Sequence, residues 1–311
     1  MHQNLDTLHK QIKKEKIDTV MIQHKGITIY EYYRNRKMQD RLHKINSVTK
    51  SVLSILVGIA IDRKEIASVH ELVYPYFPEI NTIGEELTIQ HLLTMSPGID
   101  WPEFGSWNAQ PFPMINSTDW VKFVFNREKT ESPGQTMIYN SGCSHVLSAI
   151  VQKATGEPLQ DYAKKHLFGP LEIHDTRWHS DSKGIAIGGF GLCLKTEDMM
   201  KIGTLMLQKG VWNGKTIISE GWVKESTTPR LNTYNDIGSY GYHWWILTDE
   251  TKQPLQPFTY FALGYRGQYI LVIPEYELVI TITSDLDRSL LPLRIVKETI
   301  LTHIKETTSQ S

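Results

Sequence analysis

The feature that most constrains the fold of this 311-residue chain is an almost entirely apolar run over residues 51–61. It contains no proline, and a charged cluster at residues 62–65 follows it directly. Asn46, a residue type that favours helix N-termini, stands shortly before the run. The pattern predicts a buried helix of about four turns that begins near Asn46.

Ser47 and Lys50 stand three positions apart at the start of this predicted helix, so their side chains share one face. Backbone N–H groups and the helix dipole favour negative charge developing there. A serine hydroxyl attacks only when a partner removes its proton, and burial can lower a lysine pKa from about 10.4 toward 7 for that task. The pair is a candidate nucleophile and base. Taken alone it is weak evidence, because S-x-x-K is a common spacing and a serine at a helix start is often only a cap.

The composition narrows the class of protein. Hydrophobic residues make up 40%, charged residues 22%, and the formal net charge is −1, which is ordinary for a globular chain and offers no basic block for nucleic acid. Neither the two cysteines nor the twelve histidines show metal-ligand spacing. The N-terminus lacks a signal pattern, and the apolar run is too short to span a bilayer. We therefore expect a cytoplasmic protein with no metal, no nucleic-acid partner and no membrane span.

Strand patterns cluster at the two ends of the chain. Residues 19–23 and 27–33 flank a His-Lys-Gly turn and predict a hairpin. Three further β-rich runs, at 258–263, 268–273 and 277–283, are joined by hairpin-length links, which implies an antiparallel sheet. The N-terminal hairpin can join this sheet. We predict five antiparallel strands, with the terminal helices packed on one face.

The middle of the chain has a different character. From about residue 66 to 185 strand patterns disappear, and helical patches are joined by loops rich in Pro, Gly and Asn. We predict an α/β (α+β) fold in which residues 1–65 together with 186–311 form the sheet domain. Residues 66–185 form a mainly helical domain, and the active site lies between the two.

Two more motifs join the first in a defined order. Residues 139–141 (Tyr-Asn-Ser) lie on a predicted turn of the helical insertion, and residues 265–267 (Tyr-Arg-Gly) begin a C-terminal strand pair. With residues 47–50 (Ser-Val-Thr-Lys), they resemble the three elements of the serine β-lactamase and penicillin-binding-protein superfamily. The resemblance is to the class C branch, which includes esterases, D-amino-acid peptidases and 6-aminohexanoate-dimer hydrolases. Other stretches that resemble family landmarks are 92–98, 133–134, 188–192, 212–215 and 240–245.

The resemblance implies a β-lactamase/transpeptidase-like fold, no cofactor, and a role for each matching residue. Ser47 would be the acylated nucleophile, Lys50 its activating partner, and Tyr139 the phenol that relays or accepts the proton. The backbone N–H groups of Ser47 and Gln268 would form the oxyanion hole. Whether Lys50 or Tyr139 is the immediate general base stays open. Candidate substrate contacts are the remaining motif residues, Asn140, Ser141, Tyr265, Arg266 and Gly267.

Two positions depart from the usual family pattern. The second element usually ends in Asn, but Ser141 stands there and Asn140 comes one position earlier. The third element usually begins with Lys or His, but here begins with Tyr265, which cannot supply the positive charge that holds a β-lactam carboxylate. Arg266 is the neighbouring residue that can replace this charge.

The departures favour a serine hydrolase that cleaves a small ester or amide through a covalent acyl-enzyme. One alternative is a penicillin-binding D,D-peptidase or a weak β-lactamase, with a β-lactam-like substrate. The other alternative is a non-catalytic ligand-binding protein that has kept the fold, against which the intact Ser47, Lys50 and Tyr139 argue.

Overall fold

The computed structural model describes residues 2–80, 85–103, 109–234 and 237–301. Within these ranges the α-helices are α1 (His2–Ile12), α2 (Val48–Asp62), α3 (Ile89–Leu93), α4 (Phe112–Ile115), α5 (Trp120–Phe125), α6 (Ser141–Thr155), α7 (Leu159–Ala163), α8 (Thr196–Leu207), α9 (Glu220–Ser226) and α10 (Leu291–Val296). A π-helical turn, Lys297–Leu301, continues α10. The sequence pattern predicts a C-terminal helix over about residues 290–306, and residues 302–306 of it lie outside the described residues.

Most strands belong to one antiparallel sheet. In chain order the strands are β1 (Ile17–His24), β2 (Ile27–Tyr33), β3 (His43–Lys44), β4 (Arg177–Trp178), β5 (Leu192–Leu194), β6 (Val211–Trp212), β7 (Lys215–Thr216), β8 (Leu231–Asn232), β9 (Ser239–Tyr240), β10 (Trp245–Ile246), β11 (Tyr260–Gly264), β12 (Gln268–Ile273) and β13 (Leu278–Ser284). The large sheet has the order β2-β1-β13-β12-β11-β10-β9-β8. The antiparallel sheet and the α/β class are therefore confirmed.

The predicted count of five strands is wrong, because the sheet has eight strands among the described residues. The five predicted strands are all present, and the N-terminal hairpin joins the sheet where β1 pairs with β13. The three additional strands, β8 to β10, are two residues long each. Strands this short carry no apolar alternation that a sequence pattern can reveal.

Both faces of the sheet are buried at its centre, where every residue of β12 and β13 is buried and alternate residues point to opposite sides. Ile270 and Val272 of β12 belong to the core that contains α2, α6 and α8. Leu271 and Ile273 belong to a second core with α1 and α10. The terminal helices thus share one face, as the sequence predicts. The division into two domains at 65/66 and 185/186 stays a prediction.

Helix α2 runs through the centre of the first core. Every residue from Val48 to Ala60 is buried, in agreement with the predicted buried helix. Its N-cap is Ser47, whose side chain makes no capping hydrogen bond. Asn46 instead adopts a left-handed φ of 48°, and its amide donates to the Tyr265 carbonyl oxygen at 2.8 Å. None of the described helices has the length and apolar character needed to cross a bilayer.

Candidate active site

The amine of Lys50 is the centre of the candidate site. The side chain is buried, with 1% of its surface exposed. Three oxygens surround its Nζ atom, namely Ser47 Oγ at 3.0 Å, Ser141 Oγ at 3.0 Å and the Gly189 carbonyl at 2.7 Å. They come from the start of α2, the start of α6 and the loop before β5. The structure thus brings Ser47, Lys50 and Ser141, all predicted from the sequence, to one point.

Burial changes the charge state of this amine. It lowers the pKa of Lys50 from 10.5 to about 8, and the nearby carboxylate of Glu103 opposes the change by favouring the ammonium form. With a pKa near 8, roughly a tenth of the amine is neutral at pH 7 and half at pH 8. Lys50 is therefore able to accept a proton from a serine 3.0 Å away.

Tyr139 also contacts the nucleophile. Its ring is buried, stacks against Trp245 with centroids 5.8 Å apart, and lies 4.8 Å from Lys50 Nζ. Its side chain is hydrogen-bonded to that of Ser47, and burial raises the pKa of Tyr139 well above its usual value. A phenol in this environment keeps its proton near neutral pH. The pKa directions therefore favour Lys50, rather than Tyr139, as the group that removes the serine proton.

A carboxylate that no sequence motif indicated completes the cluster. Through Oε1, Glu103 accepts a hydrogen bond from the Ser141 hydroxyl. Its Oε2 accepts the Ser141 backbone N–H at 2.7 Å and the Trp101 indole N–H at 2.6 Å. Glu103 lies in an irregular loop, 38 residues before its partner, so neither helical nor strand periodicity connects the two residues.

Two glycines allow the loop before β5 to approach α6. A Cβ atom at Gly188 would lie 2.1 Å from the Ser144 carbonyl oxygen, which is impossible without backbone movement. A Cβ atom at Gly189 would lie 3.0 Å from Ser141 Cβ. This close packing brings the Gly189 carbonyl onto Lys50 Nζ. The glycine-rich stretch of the sequence thus holds a lysine in place.

Asn140 performs a structural task. It is the N-cap of α6, its Oδ1 accepts the Cys143 backbone N–H at 3.0 Å, and no part of its surface is exposed. The carboxamide therefore stabilises the N-terminus of α6, the helix whose first residue is Ser141. The predicted substrate contact of Asn140 remains untested, and this buried placement does not favour it.

The third motif lies in the turn between β11 and β12. A Cβ atom at Gly264 would lie 2.3 Å from the Ile45 carbonyl oxygen, so the end of β11 packs against the residues before Ser47. Gln268 is buried, and its Nε2 donates to the carbonyl oxygens of Tyr265 and Ser284 at 3.2 and 2.7 Å. The turn therefore lies beside the nucleophile. An oxyanion hole formed by the Ser47 and Gln268 backbone N–H groups stays a prediction.

Two of the three motif residues at 265–267 make contacts that stabilise the turn. Tyr265 is 60% exposed. The Arg266 guanidinium forms an ion pair with Asp285, and its backbone N–H donates to Ser289 Oγ at 2.9 Å. Gly267 has a φ of 84°, and a Cβ atom there would lie 2.5 Å from Ser284 Oγ. Substrate contacts by Tyr265, Arg266 and Gly267 stay predictions, and Arg266 already has an anionic partner.

A buried histidine lies behind the site. His243 Nε2 is 3.0 Å from Ser144 Oγ, and its carbonyl oxygen accepts the Ser51 hydroxyl at 2.6 Å. Burial, together with the positive charge of Lys50, lowers the pKa of His243 to about 3. The imidazole is therefore neutral near pH 7 and adds no second positive charge beside Lys50.

The sequence is similar to those of known proteins. The family model described as Beta-lactamase matches residues 18–293. The 6-aminohexanoate-dimer hydrolase of Paenarthrobacter ureafaciens is 23% identical over 301 residues, covering 89% of this chain and 74% of that protein.

Solved structures share the fold. A Bacillus anthracis protein provisionally assigned as a 6-aminohexanoate-dimer hydrolase superposes with a TM-score of 0.81 at 20% identity, covering 97% of this chain and 82% of that one. A class C β-lactamase from Rhodobacter sphaeroides has a TM-score of 0.72 at 15% identity, covering 98% and 99%.

The sheet, the helices around it and the Ser-Lys pair are typical of hydrolases with the serine β-lactamase fold. Because the family model covers most of the sequence, the chain belongs to the β-lactamase family. The resemblance to the serine β-lactamase and penicillin-binding-protein superfamily, predicted from three short motifs, is thereby confirmed.

Proposed function

We propose that the protein is a serine hydrolase that cleaves an ester or amide bond through a covalent acyl-enzyme on Ser47. The observation that carries the proposal is the distance of 3.0 Å between Lys50 Nζ and Ser47 Oγ, in a site that lowers the pKa of the amine to about 8. A nucleophile within hydrogen-bond reach of its base is the arrangement that acyl transfer requires.

The proposed reaction proceeds in two halves. Lys50 takes the hydroxyl proton of Ser47 while Oγ attacks the carbonyl carbon of the substrate. The backbone N–H groups of Ser47 and Gln268 stabilise the negative charge on the carbonyl oxygen. The leaving group then receives this proton from the Lys50 ammonium, relayed through the neutral phenol of Tyr139, which is hydrogen-bonded to Ser47. In the second half Lys50 takes a proton from water while the water oxygen attacks the acyl carbonyl carbon. The proton returns to Ser47 Oγ as the acyl group leaves as a carboxylic acid.

The substrate is proposed to be a neutral ester or a small amide. Tyr265 supplies no positive charge, and the neighbouring Arg266 is paired with Asp285. A β-lactam carboxylate would therefore lack its usual cationic partner, which typically costs about 1–3 kcal/mol or more in a desolvated site. The relative named 6-aminohexanoate-dimer hydrolase supports the amide as a substrate, because two amino acids in a dimer are joined through an amide bond.

The two alternatives make different demands on the site. A penicillin-binding D,D-peptidase or weak β-lactamase requires Arg266 to leave Asp285 and reach the substrate. A non-catalytic binding protein has no use for a buried amine whose pKa is lowered toward neutrality, because burying such a group costs stability without improving binding.

The proposal is tested with a panel of substrates on one preparation: p-nitrophenyl esters of rising acyl length, D-amino-acid amides, 6-aminohexanoate oligomers and nitrocefin. We expect turnover of at least one ester or amide, and its loss in Ser47→Ala. Ser54→Ala is the matched control, because this buried serine of α2 makes no side-chain hydrogen bond within the described residues. Equal turnover by Ser47→Ala and the wild type would refute the proposal.

A further inference from the structure

We propose that Glu103 is a positioning residue that orients the Lys50 amine toward Ser47 by fixing the hydroxyl of Ser141. The inference rests on the proposed function and adds to it a residue outside the three family motifs. It is carried by the donor and acceptor character of five groups, namely the Lys50 amine, its three oxygen neighbours and the Glu103 carboxylate that contacts one of them.

The first step concerns the Ser141 hydroxyl. An ionised carboxylate can only accept hydrogen bonds, so the contact between Ser141 Oγ and Glu103 Oε1 uses the single proton of the serine. Ser141 Oγ must then present a lone pair to Lys50 Nζ, 3.0 Å away. The serine beside the base is thus fixed as an acceptor.

The second step concerns the amine. The Gly189 carbonyl, 2.7 Å from Nζ, is also an acceptor only. A neutral lysine has two N–H bonds and one lone pair. With one N–H directed to Ser141 and the other to Gly189, the lone pair points to the remaining neighbour, Ser47 Oγ. If Ser141 donated instead, it would occupy the lone pair that must receive the proton of Ser47.

The carboxylate is itself held in place. Its Oε2 accepts the Trp101 indole N–H at 2.6 Å and the Ser141 backbone N–H at 2.7 Å, the latter from the first residue of α6. Trp101 is almost fully buried, with 2% exposed. The indole N–H and the backbone N–H can only donate hydrogen bonds. The atom of residue 103 that faces them must therefore be an acceptor.

Glu103 also carries the negative charge of this cluster. Tyr139, Cys143 and His243 lie within electrostatic range of Lys50, but burial raises the pKa of the phenol and the thiol and lowers the pKa of the imidazole. All three are uncharged near neutral pH. The Glu103 carboxylate favours the ammonium form of Lys50, so its removal lowers the pKa of the amine further.

The test is Glu103→Gln, which keeps the size of the side chain. Its carboxamide oxygen must face the indole and backbone N–H donors, so its NH₂ group faces Ser141 Oγ. The Ser141 hydroxyl then donates its hydrogen bond to Lys50 Nζ. It competes with the Ser47 hydroxyl for the lone pair of the amine. We expect the rate of Ser47 labelling by a fluorophosphonate probe to fall by about ten- to a hundredfold, part of what a placed base contributes. The acid limb of the pH–rate profile should move to lower pH.

The matched control is Glu131→Gln, because Glu131 also accepts a backbone N–H and a hydroxyl from one residue, Thr136, at 3.0 Å each. We expect it to label at the wild-type rate. Labelling is compared on the high-pH plateau, where the amine is neutral in every variant and the charge of Glu103 no longer changes its protonation. There Glu103 acts only through Ser141, so the Ser141→Ala variant and the Glu103→Gln/Ser141→Ala double variant should label equally fast. The midpoint of the pH profile does not depend on how much enzyme is folded, so it remains a test if the glutamine variant is less stable.

The outcomes distinguish a failure of the role of Glu103 from a failure of the proposed hydrolase function. A wild-type protein that is not labelled at Ser47 contradicts the proposed function. A labelled wild type, together with a Glu103→Gln variant of unchanged rate and unchanged pH midpoint, overturns the role of Glu103 alone. A double variant in which the two losses multiply likewise overturns it, since Glu103 would then act independently of Ser141.

Discussion

The amine of Lys50 lies 3.0 Å from the hydroxyl of Ser47, one helical turn earlier on the same face of α2. The lysine is buried while the serine makes no capping bond, so the amine and the hydroxyl are available to each other. Helical spacing positions the two side chains, and the apolar surroundings of α2 lower the pKa of the amine to about 8.

The pH dependence of acylation should follow Lys50. The base form of the lysine is the neutral amine, which is populated as pH rises through its folded-state pKa of about 8. We therefore expect kcat/KM for an activated ester to rise with pH through a midpoint near 8. Stopped-flow measurements between pH 6 and 9.5 check this. A flat profile over that range would assign the base role to another group.

Lys50 and Tyr139 should behave as one unit. Each of Lys50→Ala and Tyr139→Phe should lower turnover by roughly 100-fold or more, as for other placed proton-transfer groups. The double variant should be little worse than either single variant, because groups that act on the same proton are not additive. Turnover of all three variants on one ester measures this, and losses that multiply would contradict a shared relay.

Asn140 should matter for stability more than for chemistry. Removing its cap in Asn140→Ala should lower the free energy of unfolding by about 0.5–2 kcal/mol, whereas Asn140→Ser retains a capping oxygen and should lose less. Urea denaturation gives the stability, and kcat/KM per folded enzyme gives the chemistry. A large rise in KM in both variants would instead indicate the substrate contact predicted from the motif.

Ester hydrolysis should exceed β-lactam hydrolysis. With Arg266 paired to Asp285, we expect measurable turnover of p-nitrophenyl acetate or butyrate and nitrocefin turnover near background. Arg266→Ala should leave the ester rate within about twofold, since a solvent-exposed ion pair contributes little. Efficient nitrocefin hydrolysis that collapses in Arg266→Ala would favour the penicillin-binding alternative.

The sequence predicts those parts of the molecule whose signal is local. Ser47 and Lys50 stand at helical spacing before a long apolar run, and the bounds of β2 and β12 follow from their β-rich composition. The two-residue strands β8 to β10 carry too little pattern to be found. Glu103 was missed for another reason: its bond to Ser141 joins an irregular loop to a helix start 38 residues later, and only the folded chain brings them together.

Covalent labelling of Ser47 tests the central claim most directly. The intact protein is treated with a fluorophosphonate probe, digested, and analysed by mass spectrometry, with Ser47→Ala and Ser54→Ala in parallel. We predict that one probe mass is added to the peptide containing Ser47, that Ser54→Ala is labelled like the wild type, and that Ser47→Ala is not labelled. Stoichiometric labelling at another serine, with Ser47 unmodified, would contradict the account.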